Sequence, residues 1–204
     1  MSVERLDLSR LDAHDPAEVS DEDRQAAVLA PVIDRDGVDH LLFIRKADDR
    51  SSHAGQMGFP GGGHEPEDAD LRETALRECH EEVGMRPDEA TLHGRIDDIR
   101  TVSRYSVRPY VGRVADRTYV PDGVEVAEVA VLPLPALTDR ANYDSERRDH
   151  PHYGDIRLHY FRVGGHVVWG ATARMLVQLL ELTSGWEMPA EPDRHVDPDA
   201  EFPV

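Results

Sequence analysis

The feature that most restricts the fold is a glycine-rich loop that runs into a short acidic helix. Residues 50–67 are rich in Gly, Ser and Pro and lack periodicity, and a loop of this length is uncommon unless it has a function. Residues 70–83 then show helical periodicity, with apolar side chains every fourth position. Asp70 and Glu73 have the form of a capping box, and Gly84 is a typical helix stop. The fold must therefore accommodate a rigid helix directly after a functional loop.

Three carboxylates share one face of this predicted helix. At 100° per residue, Glu78, Glu81 and Glu82 fall within a sector of roughly 100°. Two carboxylates about 4 Å apart repel each other by about 4 kcal/mol at an effective dielectric of about 20. A divalent cation that prefers oxygen ligands, Mg²⁺ or Mn²⁺, would offset this repulsion. Arg77 precedes Glu81 by one helical turn and can pair with it.

The adjoining loop helps to distinguish a metal site from a solvated acidic surface. Acids make up 41 of 204 residues, so an acidic helix face can arise by chance. However, the sequence Phe-Pro-Gly-Gly-Gly at residues 59–63 allows the backbone to approach a ligand closely. A carbonyl of Gly61 or Gly62 could complete the ligand shell of a cation. The loop and the acidic face together favour a site for phosphate and metal.

The remaining segments predict an α+β fold. Patterned apolar runs predict strands at residues 26–33, 38–45, 91–99, 106–114, 125–132 and 156–163, and a second helix at residues 172–182. The turn at residues 34–37 predicts a hairpin between the first two strands. This order of elements is not a regular βαβ array. We predict one domain over residues 1–186 and a disordered, acidic, Pro-rich tail at residues 187–204.

The charge composition limits the partners that the chain can bind. The net charge is −18, and Lys46 is the single lysine among 23 basic residues. Nucleic acids and anionic membranes both require a positive surface, so neither is an expected partner. Strong acidity almost without lysine predicts a halophile with a salty cytoplasm, where screening weakens self-repulsion. An arginine-biased genome is the alternative explanation for the missing lysines.

Apolar runs and cysteine content bear on the compartment. The longest apolar run, residues 26–33, is far shorter than the ~20 residues that span a bilayer. The sequence begins without the apolar region of a signal peptide. Cys79 is the single cysteine, which excludes an intramolecular disulfide. We therefore expect a cytoplasmic protein with Cys79 as a buried core thiol.

Residues 61–85, GGGHEPEDADLRETALRECHEEVGM, resemble the Nudix box, whose pattern is G-x5-E-x7-R-E-U-x-E-E-x-G-U with U apolar. The second half matches in full, from Arg77 to Met85. The first half departs from the pattern. Counted from Gly62, the acid position is Asp68, and eight residues instead of seven separate it from Arg77. Counted from Gly63, the spacing is restored, but the acid position holds Ala69.

A wider resemblance, over about residues 26–182, is to the coenzyme A pyrophosphatase branch of the Nudix family. The extra motif of that branch reads roughly LLTxR, then R, G and FPGG. The residues similar to this branch are Leu41-Leu42-Phe43-Ile44-Arg45, Arg50, Gly55, Phe59-Pro60-Gly61-Gly62 and Trp169-Gly170-Ala171-Thr172-Ala173. Phe43 replaces the Thr of the motif, and the gap from Arg50 to Gly55 is one residue longer.

The resemblance implies a Nudix fold, an α/β/α sandwich with a mixed sheet between helices. It also implies metal-dependent hydrolysis of a nucleoside diphosphate derivative. Glu78 and Glu82 correspond to metal ligands, with Glu81 nearby, and the general base is open among Glu81, Glu78 and Glu125. The other implied roles are substrate binding by Arg45, Arg50, Gly61 and Gly62, a metal contact from Gly62, and structural support by Arg77 and Gly84.

Three functions remain open from the sequence. The first is hydrolysis of coenzyme A or its derivatives to 3′,5′-ADP and 4′-phosphopantetheine. The second keeps the chemistry and uses ADP-ribose, another nucleotide sugar or an oxidised nucleotide, because the box alone does not separate these substrates. The third is a non-catalytic Nudix-fold binding module, against which the three mutually repelling carboxylates argue. We expect Mg²⁺ or Mn²⁺ as cofactor and a small-molecule substrate, and we leave a homodimer open.

Overall fold

The computed structural model describes residues 3–47, 55–150 and 154–203. The α-helices of this part are α1 (Leu71–Val83), α2 (Leu134–Leu137) and α3 (Gly170–Ser184). The strands are β1 (Arg24–Arg35), β2 (Val38–Lys46), β3 (Met57–Gly58), β4 (Gly61–Gly63), β5 (Ala90–Arg95), β6 (Ile99–Arg100), β7 (Tyr105–Val114), β8 (Val126–Pro133), β9 (Tyr143–His150), β10 (Gly154–Val163), β11 (His166–Trp169) and β12 (Arg194–His195). Short 3₁₀ helices lie at Leu8–Ala13, Pro87–Glu89 and Arg140–Asn142. No helix in the described ranges is both long and apolar enough to cross a bilayer.

The larger sheet has eight strands in the part of the chain that the structure describes. Its central path is β3-β2-β1-β7-β5, and β4, β6 and β8 pair with β1, β7 and β2. The predicted hairpin of β1 and β2 is confirmed, and its turn places Asp36 and Gly37 at positive φ, as two-residue hairpin turns require. Strands β1 and β7 run parallel from Arg24 to Ile33. The sheet is therefore mixed, as the family resemblance implied.

The two faces of the larger sheet pack against different helices. Residues on the α1 side are Leu29, Ile33, Leu42 and Ile44, which cluster with Ala75, Cys79 and Val83 of α1. Residues on the α3 side are Val32, Leu41 and Phe43, which cluster with Leu176, Leu179 and Leu180 of α3. Period-two alternation along β1 and β2 produces both cores at once. The predicted α/β/α sandwich is confirmed, and Cys79 is fully buried in it.

A second sheet, in the order β11-β10-β9-β12, packs on the α3 side of the molecule. The sequence predicted β10 but not its neighbours, because β9 reads YDSERRDH and lacks apolar alternation. Charged pairs take the place of apolar contacts there. The carboxylate of Glu146 accepts hydrogen bonds from Arg148 Nε and from the Tyr160 hydroxyl, both at 2.9 Å. Both Glu146 and Arg148 are buried.

Residues 187–203, which we expected to be disordered, lie against this second sheet. The Arg157 guanidinium donates to the backbone carbonyls of Pro189, Ala190 and Glu191. Further along, Arg148 Nη1 donates to the Ala200 carbonyl at 2.8 Å, and β12 pairs in parallel with β9. The acidic composition of this segment suggested disorder. Composition does not show that arginines of the second sheet bind the segment.

The glycine-rich loop and the segment after α1 also differ from expectation. Residues 50–54 of the predicted loop lie outside the described residues, and the remainder contains the short strands β3 and β4. Gly61 pairs with β1 at a φ of +149°, and a Cβ there would lie 2.3 Å from the Ala27 carbonyl oxygen. A glycine is therefore required at this position. The strand predicted at residues 91–99 is divided into β5 and β6.

Candidate active site

Both ends of α1 are fixed, which sets the position of its carboxylates. Asp70 Oδ1 accepts a hydrogen bond from the Glu73 N–H at 2.9 Å, and the Glu73 carboxylate accepts from the Ala69 N–H at 2.7 Å. This is the reciprocal pairing of a capping box, displaced by one residue on the Glu73 side. At the other end, Gly84 adopts φ +67° and its N–H donates to the His80 carbonyl at 3.0 Å. The predicted start and stop of the helix are confirmed.

Glu82 is a buried carboxylate on the side of α1 that faces the sheet. Its exposed fraction is 3%, and its Oε2 accepts a hydrogen bond from the Gly61 N–H at 2.8 Å. Burial raises the pKa of Glu82 to about 8, although Lys46 and the Gly61 N–H act in the opposite direction. The glycine loop thus positions this carboxylate but does not compensate its charge.

Glu78 lies one turn before Glu82 and packs directly on the glycine loop. A Cβ added to Gly62 would lie 2.5 Å from Glu78 Oε1, so a larger residue would displace the carboxylate. Burial raises the pKa of Glu78, while Arg77 opposes the increase through its charge and a hydrogen bond of 3.1 Å from Nη1. The loop backbone and the two carboxylates form one compact surface.

Arg77 organises this surface through a buried acid. Its Nε and Nη2 donate to the two oxygens of Asp68 at 2.9 and 3.0 Å, and Nη2 also donates to the Gly63 carbonyl. The pKa of Asp68 is held well below its usual range, mainly by Arg77. The extra residue in the first half of the sequence motif therefore does not remove the acid: Asp68 meets Arg77 in a bidentate pair. The structural role implied for Arg77 is consistent with these contacts.

Glu81 and Glu125 lie at the exposed side of the site. The Glu81 carboxylate is 56% exposed and accepts a hydrogen bond from Arg77 Nη1 at 3.0 Å. Glu125 is also exposed, yet its charge contributes to the raised pKa of both Glu78 and Glu82. The structure therefore brings Glu125, which directly precedes β8, close to the helix carboxylates.

The residues fit a divalent cation, although they are not arranged as a finished metal site. Across the described ranges, no group of three or more His, Cys, Asp or Glu side chains is placed to hold a metal ion. Glu82 is buried and Glu78 is half-buried beside it, and burial raises the pKa of both, which is the condition that a hard cation with oxygen ligands relieves. Glu81, bound to Arg77, and the backbone at Gly62 are the nearest further ligands that the sequence named.

Lys46 belongs to this site, and the sequence reasoning missed it. It pairs with Val126 across β2 and β8, and Val126 packs in the core on the α1 side. Its charge lowers the pKa of Glu82, so the ammonium group is close to the carboxylates. The sequence contained one indication of this role: Lys46 is the single lysine of the chain, and it lies just before the glycine-rich loop.

Arg45 lies on the opposite face of β2. Its Nε donates to Glu128 Oε2 at 3.0 Å, and it lines a pocket of about 400 Å³ together with Met57, His166 and Trp169. Adjacent residues of a strand point to opposite faces, which separates Arg45 from the Glu78–Glu82 pair. Arg50, the second arginine expected at the substrate, lies outside the described residues. His166 and Trp169 were not expected in this pocket.

Comparison with known proteins places the chain in a family. The model of the NUDIX domain matches residues 23–155. The "Uncharacterized Nudix hydrolase NudL" of Pectobacterium atrosepticum is 39% identical over 160 residues, which cover 76% of this chain and 81% of that protein. The protein of the same name from Photorhabdus laumondii is 34% identical over 170 residues, which cover 81% of this chain and 88% of the relative.

A solved structure supports the fold alone. The MutT/nudix family protein from Enterococcus faecalis superposes with a TM-score of 0.53 at 10% sequence identity. The match covers 83% of this chain and 65% of that protein. At this identity the likeness concerns the arrangement of sheet and helices and not the substrate.

Proposed function

Because the chain belongs to the Nudix hydrolase family, we propose that it cleaves the diphosphate linkage of coenzyme A or a coenzyme A derivative. The expected products are 3′,5′-ADP and 4′-phosphopantetheine. Family membership supports the general activity, which is hydrolysis of a diphosphate linkage. The choice of substrate rests on the pocket beside Arg45.

The observation that carries the proposed reaction is the Glu78–Glu82 pair, one helical turn apart and packed on the backbone of Gly61 and Gly62. Burial raises the pKa of both acids, and the charge of Glu78 raises that of Glu82 further, so the pair weakens the folded state. A role in the reaction would explain why the protein keeps two acids that lower its stability. A diphosphate bound on the same surface would lie close to Lys46, whose positive charge also acts on Glu82.

Glu78 and Glu82 would hold Mg²⁺ or Mn²⁺, with Glu81 and the Gly62 carbonyl as additional ligands. When bound, such a cation neutralises charge on the diphosphate oxygens and makes an attacking water more acidic. The protein supplies the positions of the ligands: the Gly61 N–H orients Glu82, and Arg77 orients Glu78 and Glu81. In the reaction, water adds to one phosphorus, and the bond from that phosphorus to the bridging oxygen breaks.

Glu125 is the carboxylate best suited to accept the proton of the attacking water. Arg77 holds Glu81 in an ion pair, and Glu78 and Glu82 are assigned to the cation. Glu125 is exposed and close enough to the other acids to affect their pKa values. Three backbone N–H groups around Asp122 hold the turn that presents it, including that of Glu125 itself.

Arg45 supports coenzyme A because that substrate carries a 3′-phosphate separate from the diphosphate. In this proposal the diphosphate lies at the carboxylates, and the 3′-phosphate on the ribose contacts Arg45. Arginine binds phosphate well through its planar fork. Arg45 Nε donates to Glu128 Oε2 at 3.0 Å, which holds the guanidinium beside the pocket.

The test compares coenzyme A with dephospho-coenzyme A in the native protein and in the Arg45→Ala variant. The variant should lose about 10- to 100-fold in kcat/KM on coenzyme A and much less on dephospho-coenzyme A, because a charge-assisted contact is worth about 1.5–3 kcal/mol. An equal loss on both substrates would show that Arg45 does not bind the 3′-phosphate. Good turnover of ADP-ribose with none of coenzyme A would replace the proposed substrate by a nucleotide sugar.

A further inference from the structure

The Arg45 pocket lies where the edges of the two sheets meet. Strand β3 is at the edge of the larger sheet, β11 is at the edge of the second sheet, and the two strands lie against each other. Arg45 and Met57 come from the first sheet, and His166 and Trp169 come from the second. The width of the pocket therefore depends on how β11 is held.

Glu128 fixes the charged side of the pocket. Its Oε2 accepts the hydrogen bond from Arg45 Nε at 3.0 Å, and its Oε1 lies 3.6 Å from His166 Nε2. One acid from β8 thus connects the arginine of one sheet to the histidine of the other. The positions of the charged groups in the pocket are therefore fixed by residues of the strands.

The aromatic side of the pocket depends on the C-terminal segment. Trp169 stacks nearly parallel to Tyr160, with ring centroids 6.3 Å apart, and it contacts Phe202 with centroids 5.0 Å apart. The Arg148 guanidinium lies 4.3 Å from the centroid of Phe202. Phe202 is therefore held between a buried arginine and the tryptophan that lines the pocket.

Other contacts fasten the same segment to the outer side of the second sheet. Arg148 Nη1 donates to the Ala200 carbonyl at 2.8 Å, and Arg162 Nη2 donates to the Pro203 carbonyl at 2.9 Å. Arg194, at the start of the segment, donates to Asp144 and Glu146. These bonds hold residues 194–203 without any contribution from Phe202.

We propose that residues 194–203 form a clamp, in which Phe202 positions Trp169 as the wall of the Arg45 pocket and so adapts the pocket to the part of the substrate beyond the diphosphate. Phe202 is a positioning residue, because it acts through Trp169. The chemistry of the pocket suits an aromatic base joined to a phosphorylated sugar: the base contacts Trp169 and the phosphate contacts Arg45. This inference rests on the proposed function in treating the pocket as part of the substrate site.

The experiment uses the full chain with Phe202→Ala, with Phe202→Tyr as the conservative variant and Glu201→Gln as the matched neighbour. We expect Phe202→Ala to raise KM for coenzyme A by about 3- to 10-fold, the range of one aromatic contact, with kcat unchanged. Phe202→Tyr should restore KM, and Glu201→Gln should match the native protein. An unchanged KM, or a fall in kcat of the same size, would overturn the clamp.

A binding measurement separates the clamp from the identity of the substrate. The chain has two tryptophans, so a Trp186→Phe background leaves Trp169 as the fluorescent reporter. Titration with 3′,5′-ADP should change Trp169 emission, and Phe202→Ala should weaken that binding by a similar factor. If the native protein does not cleave coenzyme A, KM is measured on the diphosphate compound that it does cleave. A native KM for Phe202→Ala on that compound, with unaltered 3′,5′-ADP binding, contradicts the clamp.

Discussion

At the scale of single residues, the Asp68–Arg77 pair shows what spacing alone misses. Sequence spacing placed Asp68 one position away from the pattern, yet its carboxylate is 3% exposed and binds two nitrogens of Arg77. A loop can absorb one extra residue, because only the position of the carboxylate matters to its partner. The resemblance implied substrate binding by Arg45, and strand alternation places this residue on the face of β2 opposite to the carboxylates.

Two substitutions at Arg77 partners should differ in their cost. Asp68→Asn should lower the free energy of unfolding by about 2 kcal/mol, because it weakens a buried charge-assisted pair. Glu81→Gln, whose carboxylate is exposed and also bound to Arg77, should cost less than about 1 kcal/mol. Urea unfolding of both variants measures the difference. Equal losses would contradict the view that Asp68 is the main anchor of Arg77.

At the scale of elements, the sequence predicted those whose stability comes from apolar patterning. The hairpin of β1 and β2, the helix α1 with both caps, and α3 follow from local signals. β9 and the tail could not be predicted in this way, because they are held by ion pairs between segments distant in sequence, such as Arg194 with Glu146. The pairing of Glu82 with the Gly61 backbone likewise required the three-dimensional arrangement of loop and helix.

The second sheet contains a buried histidine that should make it sensitive to acid. His159 Nδ1 lies 2.8 Å from the Tyr143 hydroxyl, and burial, followed by the charges of Arg157 and Arg174, lowers its pKa from 6.5 to about 4. The unfolded chain therefore binds this proton more readily than the native state. Neutral His159 therefore stabilises the fold fully above about pH 6.5. As the pH falls from there toward 4, the free energy of unfolding decreases by about 3 kcal/mol in total because of this group.

Unfolding of the native protein and of His159→Gln between pH 7 and pH 4 tests this expectation. Gln keeps an acceptor for the Tyr143 hydroxyl and does not titrate. As the pH falls from 7 to 4, the unfolding free energy of the native protein should decrease more than that of His159→Gln. Parallel curves over this interval would show that His159 is not the group responsible.

At the scale of the whole molecule, the fold must tolerate a net charge of −18. Arginines neutralise individual acids, as in the pairs Arg113–Asp39 and Arg108–Asp98, but the excess of acids remains. Self-repulsion of this excess weakens as salt shortens the Debye length from about 10 Å at 0.1 M to about 3 Å at 1 M. We therefore expect Tm to rise steadily between about 0.1 and about 2 M KCl. A flat or falling Tm would favour genome composition as the source of the missing lysines.

The most direct test of the central claim is product analysis of coenzyme A hydrolysis by the native protein, Glu82→Gln and the control Glu67→Gln. With Mg²⁺ or Mn²⁺, the native protein and the control should release 3′,5′-ADP and 4′-phosphopantetheine, and excess chelator should abolish this release. Glu82→Gln should lose at least about 100-fold in kcat. Its Tm without metal should be unchanged or higher, because Gln still accepts from the Gly61 N–H and removes a buried ionisable group. Full turnover by Glu82→Gln, or by the native protein in excess chelator, would contradict the account.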